Sequence, residues 1–339
     1  MHIHIVGGIF DKPAAYRSTH SISPETVLAG GLRADGWQVT VSGHHAPLPD
    51  RSAELVHVHH FDRAALRVAT QPKRVPFVFT THDPFAMNRL PVGWKRRLTD
   101  GLVLKRADRV VALSYRESEF LLRRYGLAVD QVVVIPNGID ATIFDRTAEP
   151  ERGGELRLLF VGQLQPFKGL DYLLAAMPAI HAAEPRVKLL VVYQTDALLD
   201  EYRRAASLGL NGCVEFAGAK TATELAQLYS SAAVVVSPSL GECLSSVVLE
   251  AMCCGAAVVA TDVGGIREQL DQATGVIVPP RDSAALAQAI IRLLADGDLR
   301  SAMGAAARRK ARAEFSVRKM IDRHVWLYEE LLGADERAA

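Results

Sequence analysis

Along nearly the whole chain, short apolar runs alternate with amphipathic stretches, and the alternation is interrupted once before it restarts. HIHIV (2–6), QVTVSG (38–43), LVHVHH (55–60), FVFTTH (77–82), RVVALS (109–114) and VVVIP (132–136) read as strands. Segments between them, such as ETVLAGGLRADG (25–36) and RESEFLLRRYG (116–126), have helical spacing. The polar DRTAEPERGGE (145–155), with a proline and a glycine pair, is the best linker. Beyond it come RLLFVG (157–162), KLLVVY (188–193), CVEF (213–216), AVVVSP (233–238), AVVAT (257–261) and GVIVP (275–279). Continuous apolar strands between helices are what a parallel sheet covered on both faces requires. The expectation is an α/β protein with two doubly wound domains, 1–150 and 151–315. A segment 316–339 follows, with the amphipathic helix VRKMIDRHVWLYEELL (317–332). Such sheets bind ligands beyond the carboxyl ends of their strands, so two in tandem predict a cleft there.

At 339 residues there is chain enough for two domains, each with its own core. A net charge of +1 leaves no basic excess to neutralise a nucleic-acid backbone, so no nucleic-acid partner is expected. MHIHIVGG lacks the apolar length and positive charge of a signal peptide. No run approaches the roughly eighteen apolar residues that span a bilayer. Cys213, Cys243, Cys253 and Cys254 have no CxxC spacing and read as reduced, buried, small apolar residues of a cytoplasmic protein.

The most informative stretch for chemistry is ECLSSVVLEAMCCGAAVVATDVGG, from Glu242 to Gly265. Glu242 falls in a loop after a buried strand, and Glu250 one to two turns into the next helix. Their spacing allows up to roughly 12 Å between them, wider than the about 5 to 9.5 Å of a glycosidase pair. It suits a grip on two ends of an elongated, hydroxyl-rich ligand. The helix N-terminus between them favours a phosphate. Hydroxyl, phosphate, hydroxyl is the layout of a nucleotide sugar.

Glu, seven residues, Glu, then Ala-Met, small residues, Gly and an apolar strand resembles the signature of the retaining glycosyltransferases of family 4, which have the GT-B fold. The resemblance extends to VVVIPNGID (132–140), LLFVGQLQPFKGLDYLLAAM (158–177), VEFAGAKTATELAQLYSSA (214–232) and GVIVPPRDSAALAQAIIRLLAD (275–296). It implies two Rossmann-like domains, the first for the acceptor and the second for the nucleotide sugar, with the last helix crossing back to the first. The implied reaction moves a sugar from a nucleoside diphosphate, UDP favoured over GDP, to an acceptor hydroxyl with retention. No metal and no cofactor beyond the co-substrate are implied. The acceptor is a glycan, a lipid-linked sugar or a small molecule, in bacterial glycan, glycolipid or glycosylated natural-product synthesis.

By the same resemblance, His82 lies at the reacting carbon, Glu242 on the donor sugar and Lys168 on the diphosphate. Gly7 and Gly8 form the first domain's glycine loop. Ser245, Ser246 and Val247 offer backbone donors to phosphate, Glu250 takes the ribose hydroxyls, and the main chain at Lys220 meets the base. Gln163 is a departure, since related loops have arginine there. A guanidinium contact worth roughly 1.5–3 kcal/mol is replaced by a neutral amide. Family members usually have Phe-Gly where this chain has Leu244-Ser245.

Other features have plainer readings. His57 and His59 share one strand face, and HxH can hold a metal, but without ordered Asp or Cys partners cleft lining or packing is expected. Asp296-Gly297-Asp298 imitates a DxD metal motif but reads as a turn and helix cap. GWKRRLTDGLVLKR (93–106) reads as a solvated basic helix, with peripheral contact to anionic lipid at the membrane's inner face as the alternative. Two rival functions remain: a phosphorylase or epimerase on the same fold, and a catalytically silent partner that binds nucleotide sugar.

Overall fold

The structure, a computed structural model, describes residues 1–13, 23–45, 52–82, 93–145, 156–193, 200, 204, 207, 209, 210 and 212–335. Most of the expected linker (146–155) and Asp83-Pro84 lie outside the described residues. The chain divides into two compact units, Met1–Gly138 with Val317–Ala339, and Ile139–Ser316.

The first unit is built on a six-stranded parallel sheet of β1 (His2–Val6), β2 (Gln38–Ser42), β3 (Leu55–His59), β4 (Phe77–Thr80), β5 (Arg109–Ala112) and β6 (Val132–Val134). The spatial order is β2-β1-β3-β4-β5-β6. β1, β3 and β4 are buried along their whole length, and β1 and β3 alternate apolar residues with buried histidines. One face packs on helix Pro24–Ala34 and the last helix, Val317–Asp335, through Leu28, Leu32, Ile321, Leu327 and Tyr328. The other packs on helices Arg63–Thr70, Trp94–Arg106 and Tyr115–Tyr125 through Ala65, Val103, Leu104 and Leu121.

The second unit repeats the plan with β7 (Leu156–Val161), β8 (Val187–Val192), β9 (Val214–Ala217), β10 (Val234–Ser237), β11 (Val258–Thr261) and β12 (Val276–Val278). All pair in parallel, in the order β12-β11-β10-β7-β8-β9. The apolar periodicity therefore located all twelve strands found among the described residues, with ends shifted by a residue or two. Helix starts follow local chemistry. Ser114 caps Tyr115–Tyr125, Thr221 and Glu224 form a reciprocal capping box, and Asp296 caps Gly297–Glu314 through Leu299 N, the cap expected of it.

Each sheet has a point where strand order reverses: between β1 and β3 in the first unit, and between β7 and β10 in the second. Loops leaving the carboxyl ends of those strands diverge, and the gap between them is where such sheets receive ligands.

Candidate active site

In the second unit, β7 runs through Gly162 and Gln163 into the 3-10 turn Pro166–Lys168, ahead of helix Leu170–Ala183. Its neighbour β10 runs through Ser239 and Glu242 into helix Ser246–Cys253. Leu240 N donates to Phe167 O at 2.6 Å, tying the two loops together. Lys168 Nζ lies 2.8 Å from Glu242 Oε1, and Ser239 Oγ donates to the same oxygen at 2.7 Å. The loop after β11 closes beneath them. Gly264 has φ +48°, and a Cβ there would come within 1.7 Å of Glu242 O, so only glycine allows this approach.

The start of helix Ser246–Cys253 is held firmly. The Ser245 hydroxyl accepts from Val248 N at 3.4 Å. Buried Gln269 accepts from Ser245 N at 3.0 Å and donates to Ser245 O at 2.8 Å. Ser246 is exposed and Val247 half-buried, and their N–H groups have no carbonyl within their own helix to bond. The result is a rigid, partly open, electropositive end. One turn on, Glu250 is buried and accepts from Tyr229 OH at 2.8 Å. Burial pushes its carboxyl up to about 7, against the downward pull of that hydrogen bond.

Lys168, Glu242, Ser245, Ser246, Val247 and Glu250 thus lie on loops and a helix that converge on one reversal point. Gln163 and Lys220 are not drawn into that cluster by their side chains. Gln163 is exposed and accepts from Gln165 Nε2 at 3.0 Å, while Lys220 lies 3.8 Å from Glu224.

The first unit gathers histidines at its own reversal point. His59 ends β3 and His60 follows it, and Thr81 and His82 follow β4. His59 Nδ1 and His82 Nε2 are 2.9 Å apart, and their rings stack at 5.2 Å. His60 Nε2 donates to Glu25 Oε1 at 2.8 Å. His60 and His82 both have left-handed backbones, φ 72° and 46°, which non-glycine residues rarely adopt outside constrained sites. Gly7 and Gly8 leave room for side chains from elsewhere. A Cβ on Gly7 would meet Glu25 Cγ at 2.9 Å, and one on Gly8 would meet His44 Cε1 at 2.8 Å.

Burial holds the His59 imidazole well below the usual histidine range. His82 is pushed down to about 3, by burial first and by the nearby His60 second. Burial of Glu25 acts upward and is the largest single influence, but the hydrogen bond from His60 and the nearby His59, His82 and His60 rings together outweigh it and hold the carboxyl well below the usual carboxylate range. His57 lies behind this group with its ring 4.2 Å from that of His59, and is bonded to Tyr328 OH at 2.6 Å and Thr80 Oγ1 at 2.7 Å.

Two expectations need correction. The histidines do have a carboxylate partner, because the fold brings Glu25 in from a distant helix. Glu25, His59 and His82 each offer one ligand atom within 4.8 Å of the others, a set that zinc would accept in principle. Cys213 is half-buried, with Sγ 3.6 Å from the His181 ring nitrogens, whereas the other three cysteines are buried.

Ser239, Tyr229, Gln269 and Glu25 were not singled out in the sequence. A buried tyrosine hydroxyl demands a partner, which was the one available hint. The others are recognisable only once distant segments meet.

The chain matches the family model described as "Glycosyl transferases group 1" over residues 155–296, and that of "Glycosyltransferase Family 4" over residues 48–143. It is 31% identical to the D-inositol 3-phosphate glycosyltransferase of Salinispora arenicola, an alignment that covers 90% of this chain and 73% of that one. Among solved structures it resembles sucrose-phosphate synthase from Thermosynechococcus elongatus, with TM-score 0.82, 24% identity, and coverage of 98% and 100% of the two chains. It also resembles Anabaena HepE in complex with UDP-glucose, with TM-score 0.77, 20% identity, and coverage of 98% and 100%. The structural likenesses establish the fold, two Rossmann-like domains of the GT-B type. With the sequence matches, they make this chain a member of the family 4 glycosyltransferases.

Proposed function

We propose that the chain transfers a sugar from a nucleoside diphosphate, UDP favoured, to an acceptor hydroxyl with retention of configuration and without a metal. The observation that carries this reading is the contact of Lys168 with Glu242 across the β7–β10 reversal, beside the open N-terminus of helix Ser246–Cys253. A cation and oriented N–H groups suit a leaving diphosphate, and neighbouring carboxylates suit sugar hydroxyls. Lys168 neutralises the diphosphate, aided by the N–H groups of Ser246 and Val247. Glu242 accepts from the donor sugar, and Glu250 accepts from the ribose diol. The main chain near Lys220 meets the base, and the Gln163 amide donates to a phosphate or sugar oxygen. In the first unit, His82 stands at the reacting carbon and Gly7-Gly8 admit the donor's phosphate, with the acceptor held by this unit. The departing phosphate takes the acceptor's proton on the face from which it leaves.

HepE was solved with UDP-glucose, which supports UDP as the first donor to try. The name of the Salinispora relative makes D-inositol 3-phosphate the first candidate acceptor. The place in bacterial glycan, glycolipid or natural-product synthesis follows from the acceptor. The deciding experiment is a thermal-shift screen of UDP-, GDP- and dTDP-sugars, since a ligand that binds the native state raises its melting temperature. A UDP-sugar should give the largest shift. No shift with any of them would overturn the reading.

A further inference from the structure

Helix Trp94–Arg106 covers one face of the first sheet through Asp100, Val103 and Leu104, which are buried. A surface helix ordinarily keeps its apolar residues on that inward side and polar residues on the other. This one does not. Trp94, Leu98 and Leu102 are 68%, 67% and 46% exposed, and at four-residue steps they form one outward ridge. Single exposed apolar residues are ordinary, but a tryptophan and two leucines in line form a patch. At about 100° per residue, Lys105 falls on the ridge, Lys95 and Arg106 on one flank and Arg97 on the other; all four are exposed. The helix has five cations, Lys95, Arg96, Arg97, Lys105 and Arg106, against one carboxylate, Asp100, which is buried 3.7 Å from Arg96.

We propose that this helix is an interfacial docking surface, which beds Trp94, Leu98 and Leu102 into the headgroup–acyl boundary of an anionic bilayer while its lysines and arginines meet lipid phosphates. Aromatic and aliphatic residues bordered by cations are the pattern of helices that lie in a membrane surface. Charge selects this occupant over a second copy of the chain, because a twofold contact would bring the same cations face to face. No helix among the described residues is long and apolar enough to cross a membrane, so the attachment is peripheral. The helix follows β4, so its Trp94 end lies toward the sheet edge that bears His59, His60 and His82. Docking in this way holds that edge at the lipid boundary.

The test is co-sedimentation of the full chain with phosphatidylcholine vesicles, with and without about 30 mol% phosphatidylglycerol, at low and high salt. The expected result is binding to the anionic vesicles only, weakened by salt. The Trp94→Ser/Leu98→Ser variant should lose at least about tenfold in partitioning. Lys95→Gln/Arg97→Gln should reduce the anionic preference and its salt dependence. All four residues are exposed, so melting temperatures should match the wild type, and the charge variant tests the proposal even if the ridge variant misfolds. Equal binding to neutral vesicles, no vesicle binding, or undiminished binding by folded variants would each overturn the proposal. So would a dimer, without vesicle binding, that the ridge variant dissolves.

Discussion

Lys168 Nζ and Glu242 Oε1 meet at 2.8 Å across the β7–β10 reversal, with Ser239 Oγ on the same carboxylate oxygen. The lysine belongs to the loop after β7, and the carboxylate and serine to the loop after β10. This arrangement stores a cation beside a helix N-terminus without leaving it uncompensated. On the proposed function, a diphosphate arriving at Ser246 would compete with Glu242 for Lys168, and the carboxylate would then be freed to accept from sugar hydroxyls.

Glu250 provides a pH-dependent test of the ribose assignment. Its carboxyl stands at about 7 in the ligand-free protein because of burial, and only the ionised form accepts two hydroxyls. UDP affinity should therefore rise as pH increases through about 7, and Glu250→Gln should bind weakly with a flattened pH profile. Stability should move the opposite way. A carboxyl raised from its unfolded value makes the folded state bind more protons between about 4.5 and 7, so its contribution falls by roughly 3 kcal/mol across that window as pH rises. Isothermal titration with UDP from pH 6 to about 8.5 checks the binding claim. An unchanged affinity in the Glu250→Gln variant would remove this residue from the ribose site.

The buried histidines of the first unit have the converse signature. His324 is pushed down to about 4 by burial, against the hydrogen bond it donates to Met320 O, and burial drives His57 and His59 well below the ordinary range. A depressed histidine contributes nothing above its unfolded value near 6.5 and weakens the fold as pH drops below it. At pH 5 the His324 share is about 2 kcal/mol, with His57 and His59 adding in the same direction. Denaturant unfolding at pH 7.5 and 5 should show this loss, and His324→Leu should recover about 2 kcal/mol of the acid-dependent part. A variant with the full wild-type acid sensitivity would mean that His324 is already protonated when folded.

Metal independence is testable because Glu25, His59 and His82 converge. If Lys168 and a helix end neutralise the diphosphate as proposed, saturating EDTA should leave the transfer rate within about twofold. Abolition by EDTA with rescue by zinc would reassign the histidines as a metal centre. Rescue by magnesium or manganese would point instead to Asp296.

The fold was legible because most strands are largely buried, so Val, Ile and Leu dominate them and turn residues bound them. The Glu242–Glu250 motif was legible because its carboxylates share one strand–loop–helix segment. Glu25 was not, since it is a first-turn helix residue in sequence and reaches His60 only through the packing of helix Pro24–Ala34 beside β3. The same holds for Gln269, which grips the Ser245 backbone from 24 residues away. Trp94 and Leu98 read as part of a solvated basic helix because spacing alone does not say which apolar stripe faces inward; Val103 and Leu104 took that side.

Gln163 and Lys168 carry the sharpest test of the donor site. Gln163 stands where related loops have arginine, and here its side chain is exposed and paired with Gln165. On the proposed function, Lys168 is then the main side-chain cation for the diphosphate. Lys168→Ala removes a charge-assisted contact from a half-buried site and takes from Glu242 the cation paired with Oε1. By analogy with lost oxyanion donors, the cost is on the order of 3–4 kcal/mol, two to three decades in kcat. Gln163→Ala removes a neutral amide worth about 1 kcal/mol and should cost under tenfold. Gln163→Arg restores the charge and should partly rescue Lys168→Ala in the double variant. Steady-state kinetics with the donor found by thermal shift decides it. Equal, small losses in the two single variants would mean that another cation serves the diphosphate, with Arg267 and Arg281 the first to replace. Arg267 is committed to Asp262, at 2.7 Å, which makes it the weaker of the two substitutes.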